Sequence, residues 1–263
     1  MIIISLQNIT VKYRLIKERK RTFQAHLINY LKGRRREAQT LWALRDISLE
    51  IAKGESWGFI GHNGAGKSTL LKVISGVIRP AEGKMIVKGT TAPLIELSAG
   101  FDKELTGREN IYLNASILGL SRKEIDEKFE RIVEFSELQD FINAPIKSYS
   151  SGMVARIGFA IATEVNSDIL IIDEVLAVGD ARFRKKSKER ILDFQKKGGT
   201  VIFVSHNTEE VKNLCDKVLW LDHGRMNMVG DPQTVVSAYE LAQTGKKTMN
   251  LEVTVDQTPY TSN

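Results

Sequence analysis

The stretch Gly61-His62-Asn63-Gly64-Ala65-Gly66-Lys67-Ser68 fits the pattern G-x-x-x-x-G-K-[ST]. Glycines at these positions let backbone N–H groups turn inward around phosphate oxygens, and a helix starting at Lys67 would point its positive end at them. Lys67 supplies a point charge for β- and γ-phosphates, and the Ser68 hydroxyl can ligate Mg²⁺. Thr69 closes the phosphate-binding stretch. A merely flexible glycine loop is the plain alternative. By composition alone the full pattern arises in about 1% of chains this long, and here it sits between a strand-like and a helix-like segment, as phosphate binding requires.

A second group of residues follows about a hundred positions later. Ile169 to Ile172 is an all-apolar run ending in Asp173 and Glu174. Such a run suits a central parallel strand, and ligands of open α/β sheets bind at the carboxyl ends of strands. Asp173 there could hold Mg²⁺ through water, and Glu174 could accept a proton from an attacking water. Alone, two carboxylates at a strand end are often a solvated turn. After a phosphate-binding loop they read as metal ligand and general base. Val201 to Val204 is another apolar run, ending in Ser205-His206. A lone histidine is usually structural, but on a neighbouring strand His206 would reach a γ-phosphate and its attacking water.

These residues need a scaffold. Residues 2–12 and 43–52 alternate apolar and polar, as half-buried antiparallel strands do. Lys53-Gly54-Glu55 reads as a turn, Ser56 to Ile60 as a strand, Lys67 to Gly76 as a helix ended by glycine, and residues 84–88 as a strand. The segment 106–142 is charged and helix-patterned, with capping-box pairs Thr106/Glu109 and Ser121/Glu124. Strand–helix alternation then resumes: strands at 169–172, 200–204 and 217–222, helices at 182–197 and 208–215, an edge strand at 225–229, and a helix from Asp231-Pro232 to about Gln243.

The composition is that of an ordinary globular protein, with 42% hydrophobic and 27% charged residues. No apolar run approaches the length of a membrane span, and the start lacks the features of a secretory signal. The single Cys215 cannot form an internal disulfide. Together these suggest a reducing, cytoplasmic setting. The net charge of +6 is concentrated: ten Lys/Arg lie between Lys12 and Glu37 against Glu18 and Glu37. A basic arm on a near-neutral body implies a local contact rather than a polyanion partner over the whole surface.

Taken in order, these motifs resemble the ABC ATPase family over about residues 2–240. Tyr149-Ser150-Ser151-Gly152-Met153 stands where that family has its LSGGQ signature, with Ser151 for a glycine and Met153 for the glutamine. This variant is similar to the branch that exports O-antigen, capsule and teichoic-acid polymers. Leu41 to Ser48, Glu96 to Asn110, Asp173 to Asp180 and the basic insertion after Tyr13 also look like that branch.

The resemblance implies an α/β P-loop NTPase fold over 1–243, with a mostly parallel core sheet, an N-terminal antiparallel β subdomain, a basic insertion at 14–41 and an inserted helical subdomain at 96–165. A polar tail would occupy 244–263. It implies ATP and Mg²⁺ as ligands, and a homodimer sandwiching two ATP molecules. Each phosphate loop, residues 61–69, would face Ser150, Ser151 and Gly152 of the second copy, and Asp180 would lie in the loop linking the sites. Tyr13 would stack on adenine, or serve only as a strand-end aromatic. Glu96 would take the place of the family's Mg²⁺-contacting glutamine. Lys67, Glu174 and His206 would be catalytic, and Ser68, Asp173 and Glu96 would hold the metal. The resemblance further implies a peripheral subunit on the cytoplasmic face of the inner membrane, two copies of a separate transmembrane permease, and a lipid-linked polysaccharide, O-antigen foremost, as cargo. The basic insertion would be a solvated arm or lie against the anionic leaflet. The alternatives are another ABC transporter subunit or a soluble ABC ATPase on nucleic acid. The latter is disfavoured because the arm has few aromatics spaced for base stacking.

Overall fold

A computed structural model of the chain describes residues 1–16, 38–94, 100–173 and 179–244. Glu96, Glu174, most of the basic insertion and nearly all of the polar tail therefore lie outside the described residues.

Strand β1 (Ile2–Ile16) pairs antiparallel with β2 (Ala38–Ala52), from Ile2 opposite Ala52 to Ile16 opposite Ala38. Both strands outrun the alternating stretches at 2–12 and 43–52. Tyr13, Arg14, Leu15 and Ile16 pair with Leu41, Thr40, Gln39 and Ala38. Cross-strand pairing there satisfies backbone groups whose side chains carry little alternation. Strand β4 (Glu82–Val87) joins the other edge of β1 and completes a three-stranded antiparallel sheet.

The second sheet contains β3 (Ser56–Ile60), β5 (Thr91–Pro93), β6 (Ile169–Asp173), β7 (Thr200–Val204), β8 (Lys217–Asp222) and β9 (Arg225–Gly230), in the order β5-β6-β7-β3-β8-β9. Only β9 runs antiparallel to its neighbour. Pro93 is tolerated because β5 is an edge strand, where its missing N–H costs nothing.

Every residue of β3 and β7 is buried, as covering both faces of a parallel sheet requires. The faces divide by the strand period of two. Ile169, Ile171, Ile202, Val204, Leu219 and Leu221 pack with the antiparallel sheet and with helix α1 (Lys67–Ile74). Leu170, Ile172, Val201, Phe203 and Val218 pack under the remaining helices. These are α2 (Gly107–Ile117), α3 (Arg122–Ser136), α4 (Ser151–Glu164), α5 (Ala181–Lys196), α6 (Thr208–Leu214) and α7 (Pro232–Gln243). A wholly buried side chain such as Ile171 or Phe203 contributes about 1.5–3 kcal/mol relative to exposure.

Local chemistry sets the helix ends. Thr106 and Ser121 each form a capping box with the glutamate three residues on. Glu164, 8% exposed at the end of α4, accepts from Arg131 of α3 at 3.2 Å and from Arg190 of α5 at 2.8 Å. Lys128 adds a 2.6 Å hydrogen bond to its carbonyl oxygen. A buried carboxylate with two guanidinium partners fixes the three helices against one another, and removing one partner would leave the charge undercompensated.

Candidate nucleotide-binding site

The loop between β3 and α1 is shaped by its surroundings. Gly61, Gly64 and Gly66 all have positive φ, at 148°, 82° and 109°, a region costly for residues with a Cβ. Two of these positions are also closed to any side chain. A Cβ on Gly61 would collide with the Leu221 carbonyl oxygen, and one on Gly66 would lie 2.8 Å from the Ala43 carbonyl oxygen. The loop is therefore wedged between β2 and the β8–β9 turn, and Gly224 N–H donates to the Ala65 carbonyl at 2.9 Å.

Lys67 is 6% exposed. Its Nζ donates to the carbonyls of Gly61 at 2.6 Å and His62 at 3.1 Å, which holds the ammonium over the loop. Asn63, Gly64 and Ser68 are exposed, and Thr69 is half-buried. The first turn of α1 contains no acidic residue, so nothing in that turn offsets the positive helix end that favours an anion.

Strand order brings the other residues alongside. β3 pairs with β7, and β7 pairs with β6. The phosphate loop, His206 and Asp173 thus leave the same end of adjacent parallel strands, and Asp173 lies opposite Val204 in register. His206 is exposed. The turn before it is fixed by the Ser205 hydroxyl, which accepts from Asn207 N–H at 3.0 Å and donates to Glu210 Oε2 at 3.2 Å. Glu174 follows Asp173 directly in the chain but lies outside the described residues, as does Glu96.

The serine–glycine segment forms a separate surface. Ser150 caps α4 by accepting from Met153 N–H at 3.2 Å. Ser150 and Ser151 are exposed, and the first turn of α4 has no acidic residue. Beneath them Tyr149 is buried and donates to the Phe141 carbonyl at 2.7 Å. Gly152 differs from Gly61 and Gly66. A Cβ there would meet only Ser150 Oγ, at 3.8 Å. Among the described residues, no packing contact demands glycine at 152.

Asp180 caps α5. Its Oδ1 accepts from Phe183 N–H at 2.8 Å and its Oδ2 from Arg156 of α4 at 2.7 Å. The Phe183 amide foremost, with the Arg156 guanidinium, holds this carboxyl below the usual range. Sequence reasoning missed Arg156. It sits one helical turn after Gly152, contacts Glu137 at 3.4 Å, and lies 5.0 Å over the Phe183 ring. The i, i+4 spacing from the glycine was the available signal.

Tyr13 lies on β1 opposite Leu41, 37% exposed. A second aromatic, Trp42, lies opposite Lys12 and so on the other face of the hairpin; it is 39% exposed, with Lys12 Nζ 4.3 Å above its ring. Among the described residues no helix is long and apolar enough to cross a membrane.

Comparison with known proteins gives a consistent picture. Residues 44–177 match the family model described as ABC transporter. The chain is 49% identical over 228 residues to an O-antigen export system ATP-binding protein, RfbB, of Klebsiella pneumoniae, covering 87% of this chain and 89% of that protein. It is 43% identical to the teichoic acids export ATP-binding protein TagH of Shouchella clausii, covering 89% of this chain and 64% of that one. Among solved structures, a dimeric ATP-binding cassette in a post-hydrolysis state with ADP and phosphate superposes with a TM-score of 0.70 at 20% identity, covering 87% of this chain and 98% of that one.

Proposed function

This chain belongs to the ABC transporter family, and from that premise we propose that it is the ATP-binding and ATP-hydrolysing subunit that powers export of a lipid-linked polysaccharide, O-antigen foremost, through a separate transmembrane subunit. The observation that supports this most is the convergence of the phosphate loop, Asp173 and His206 at one end of three adjacent strands.

In this reading the loop amides and Lys67 hold the phosphates of ATP, and the N-terminus of α1 adds its dipole. The oxygen donors fit a hard divalent cation: the exposed Ser68 hydroxyl in the first turn of α1 and the half-exposed Asp173 carboxylate at the end of β6. Mg²⁺ bound there would neutralise phosphate charge. Glu174 accepts the proton of the attacking water, and His206 orients that water and the γ-phosphate.

The α4 N-terminus belongs to the other half of the same chemistry. Ser150, Ser151 and Gly152 present a capped, exposed helix end with no acidic residue in its first turn, suited to the γ-phosphate held by a second copy of the chain. Gly152 supports this role because, among the described residues, no neighbour within its own protomer requires the lack of a side chain there. Asp180 joins this end to the segment carrying Glu174, Tyr13 stacks on the adenine, and Glu96 stands near the metal. The subunit sits at the cytoplasmic face of the membrane, and the basic stretch within 14–41 meets the anionic leaflet.

Export is tested by complementation. A strain lacking its own O-antigen ATP-binding subunit but retaining the membrane subunit is supplied with this chain or with Lys67→Ala. Surface polymer restored by the wild type alone supports the assignment. Equal restoration by both would refute ATP-driven export, and restoration only in a teichoic-acid exporter background would move the cargo to that polymer.

A further inference from the structure

We propose that His62, Asp222 and His223 form a binding site for a divalent transition-metal ion of the zinc class, separate from the Mg²⁺ expected at Ser68 and Asp173. The argument begins with the His62 ring. Its Nδ1 lies 2.7 Å from the Asn63 carbonyl oxygen. A carbonyl can only accept, so Nδ1 carries the hydrogen and Nε2 presents a lone pair in the neutral ring. That Nε2 is 3.1 Å from Asp222 Oδ1. Yet it is shielded from solvent and has no hydrogen-bond partner of acceptable geometry. Two electron-rich atoms facing each other at this distance make a natural pair of ligands for a bound cation. An imidazole whose other nitrogen donates to a backbone carbonyl is the arrangement metal-ligating histidines adopt.

The third ligand comes from the β8–β9 turn. His223 Nε2 is 3.9 Å from the same Asp222 oxygen, and the two imidazole centroids are 4.6 Å apart. One ligand atom from each of the three residues lies within 4.8 Å of the others. Tetrahedral zinc spaces its ligand atoms about 3.3 Å apart, so modest side-chain rotation closes the set and leaves one position for water. Two imidazoles and a carboxylate favour zinc, cobalt or nickel over Mg²⁺.

The backbone is already fixed for this purpose. His223 and Gly224 form a two-residue turn, with φ of 45° and 75°, the conformation of a tight hairpin that matches strand twist. Gly224 N–H donates to Ala65 at 2.9 Å, and its carbonyl accepts from Arg45 N–H at 2.7 Å. The turn is clamped to the phosphate loop, which holds His62 and His223 in register. A bound ion would tie the loop to the hairpin on the flank beside the phosphates.

The test is calorimetric titration of Zn²⁺ into the chelator-treated full chain without nucleotide, beside Asp222→Asn, His223→Asn and His206→Asn. Asparagine at 223 tolerates the positive φ, and circular dichroism verifies that each variant is folded. Wild type and His206→Asn are expected to bind one Zn²⁺ in the micromolar range. Asp222→Asn and His223→Asn should bind about tenfold more weakly or worse. At equal concentration Zn²⁺ should also raise the melting temperature of wild type clearly more than that of His223→Asn. No saturable binding by wild type up to about 100 µM, or equal affinity in His223→Asn, would overturn the proposal.

Discussion

Two glycine-bearing segments, the β3–α1 loop and the start of α4, are built on opposite principles. At the β3–α1 loop, the fold itself forbids a side chain at Gly61 and Gly66, where carbonyls of Leu221 and Ala43 crowd the backbone. At the start of α4, space is open around Gly152, and the polar groups beside it face solvent. The first segment is preorganised by contacts within the chain. The second is an exposed surface with open space around its glycine among the described residues.

Substitutions should separate the two segments. Gly61→Ala is expected to cost the most stability, about 3 kcal/mol or more, from strained φ and collision with the Leu221 carbonyl. Urea denaturation measures it, and a loss below about 1 kcal/mol would mean the loop is not wedged. Gly152→Ala should do the reverse. It removes a glycine from the first turn of a helix, so stability should hold or rise by about 0.5–1 kcal/mol. Hydrolysis should fall about a hundredfold, as when a preorganised donor is displaced. Unchanged turnover in steady-state assays would dissolve the contrast.

Arg156→Ala sharpens the boundary between them. It removes a mostly buried guanidinium from Asp180 and from Glu137, which keeps its contacts with Lys186 and Arg182. A modest loss of stability is expected, carried mainly by the less exposed Glu137 contact. Lysine at 156 should restore part of the stability but less of the turnover, since it cannot make both contacts with one planar fork. Full rescue of both by lysine would reduce Arg156 to a simple charge.

The smallest effect concerns Cys215, under β3. Burial pushes its thiol up to about 12. A folded-state pKa raised above the unfolded value favours the folded state fully below the unfolded pKa, and this contribution fades as pH rises toward 12. A thiol reagent at pH 8 should therefore react slowly with folded protein and rapidly in denaturant. Fast reaction in buffer would show that α6 opens readily from the sheet.

How much of this was readable in advance depends on the range of the signal. The phosphate loop, the buried strand before Asp173 and both capping boxes rest on neighbours in sequence, and they stand where the pattern placed them. The β1–β2 hairpin runs beyond its alternating stretch because Tyr13 to Ile16 find partners 22 or more residues away. Strand β5 is three residues long and carries a proline, too little for any periodicity to show. The meeting of His62 with Asp222 and His223 required the β3–β8 pairing, which no local pattern encodes. That Asp173 and His206 share an edge was inferable from two apolar runs, although their adjacency to the phosphate loop depended on strand order.

The contrast between a closed loop and an open helix end is tested most directly through Glu174. Purified wild type and Glu174→Gln are assayed for ATP hydrolysis, and both are run on size exclusion in Mg-ATP. Hydrolysis by the wild type, its loss in the variant and a stable ATP-dependent dimer of the variant are the expected results. Full hydrolysis by Glu174→Gln, with a monomer in ATP, would contradict both the general base and the shared site.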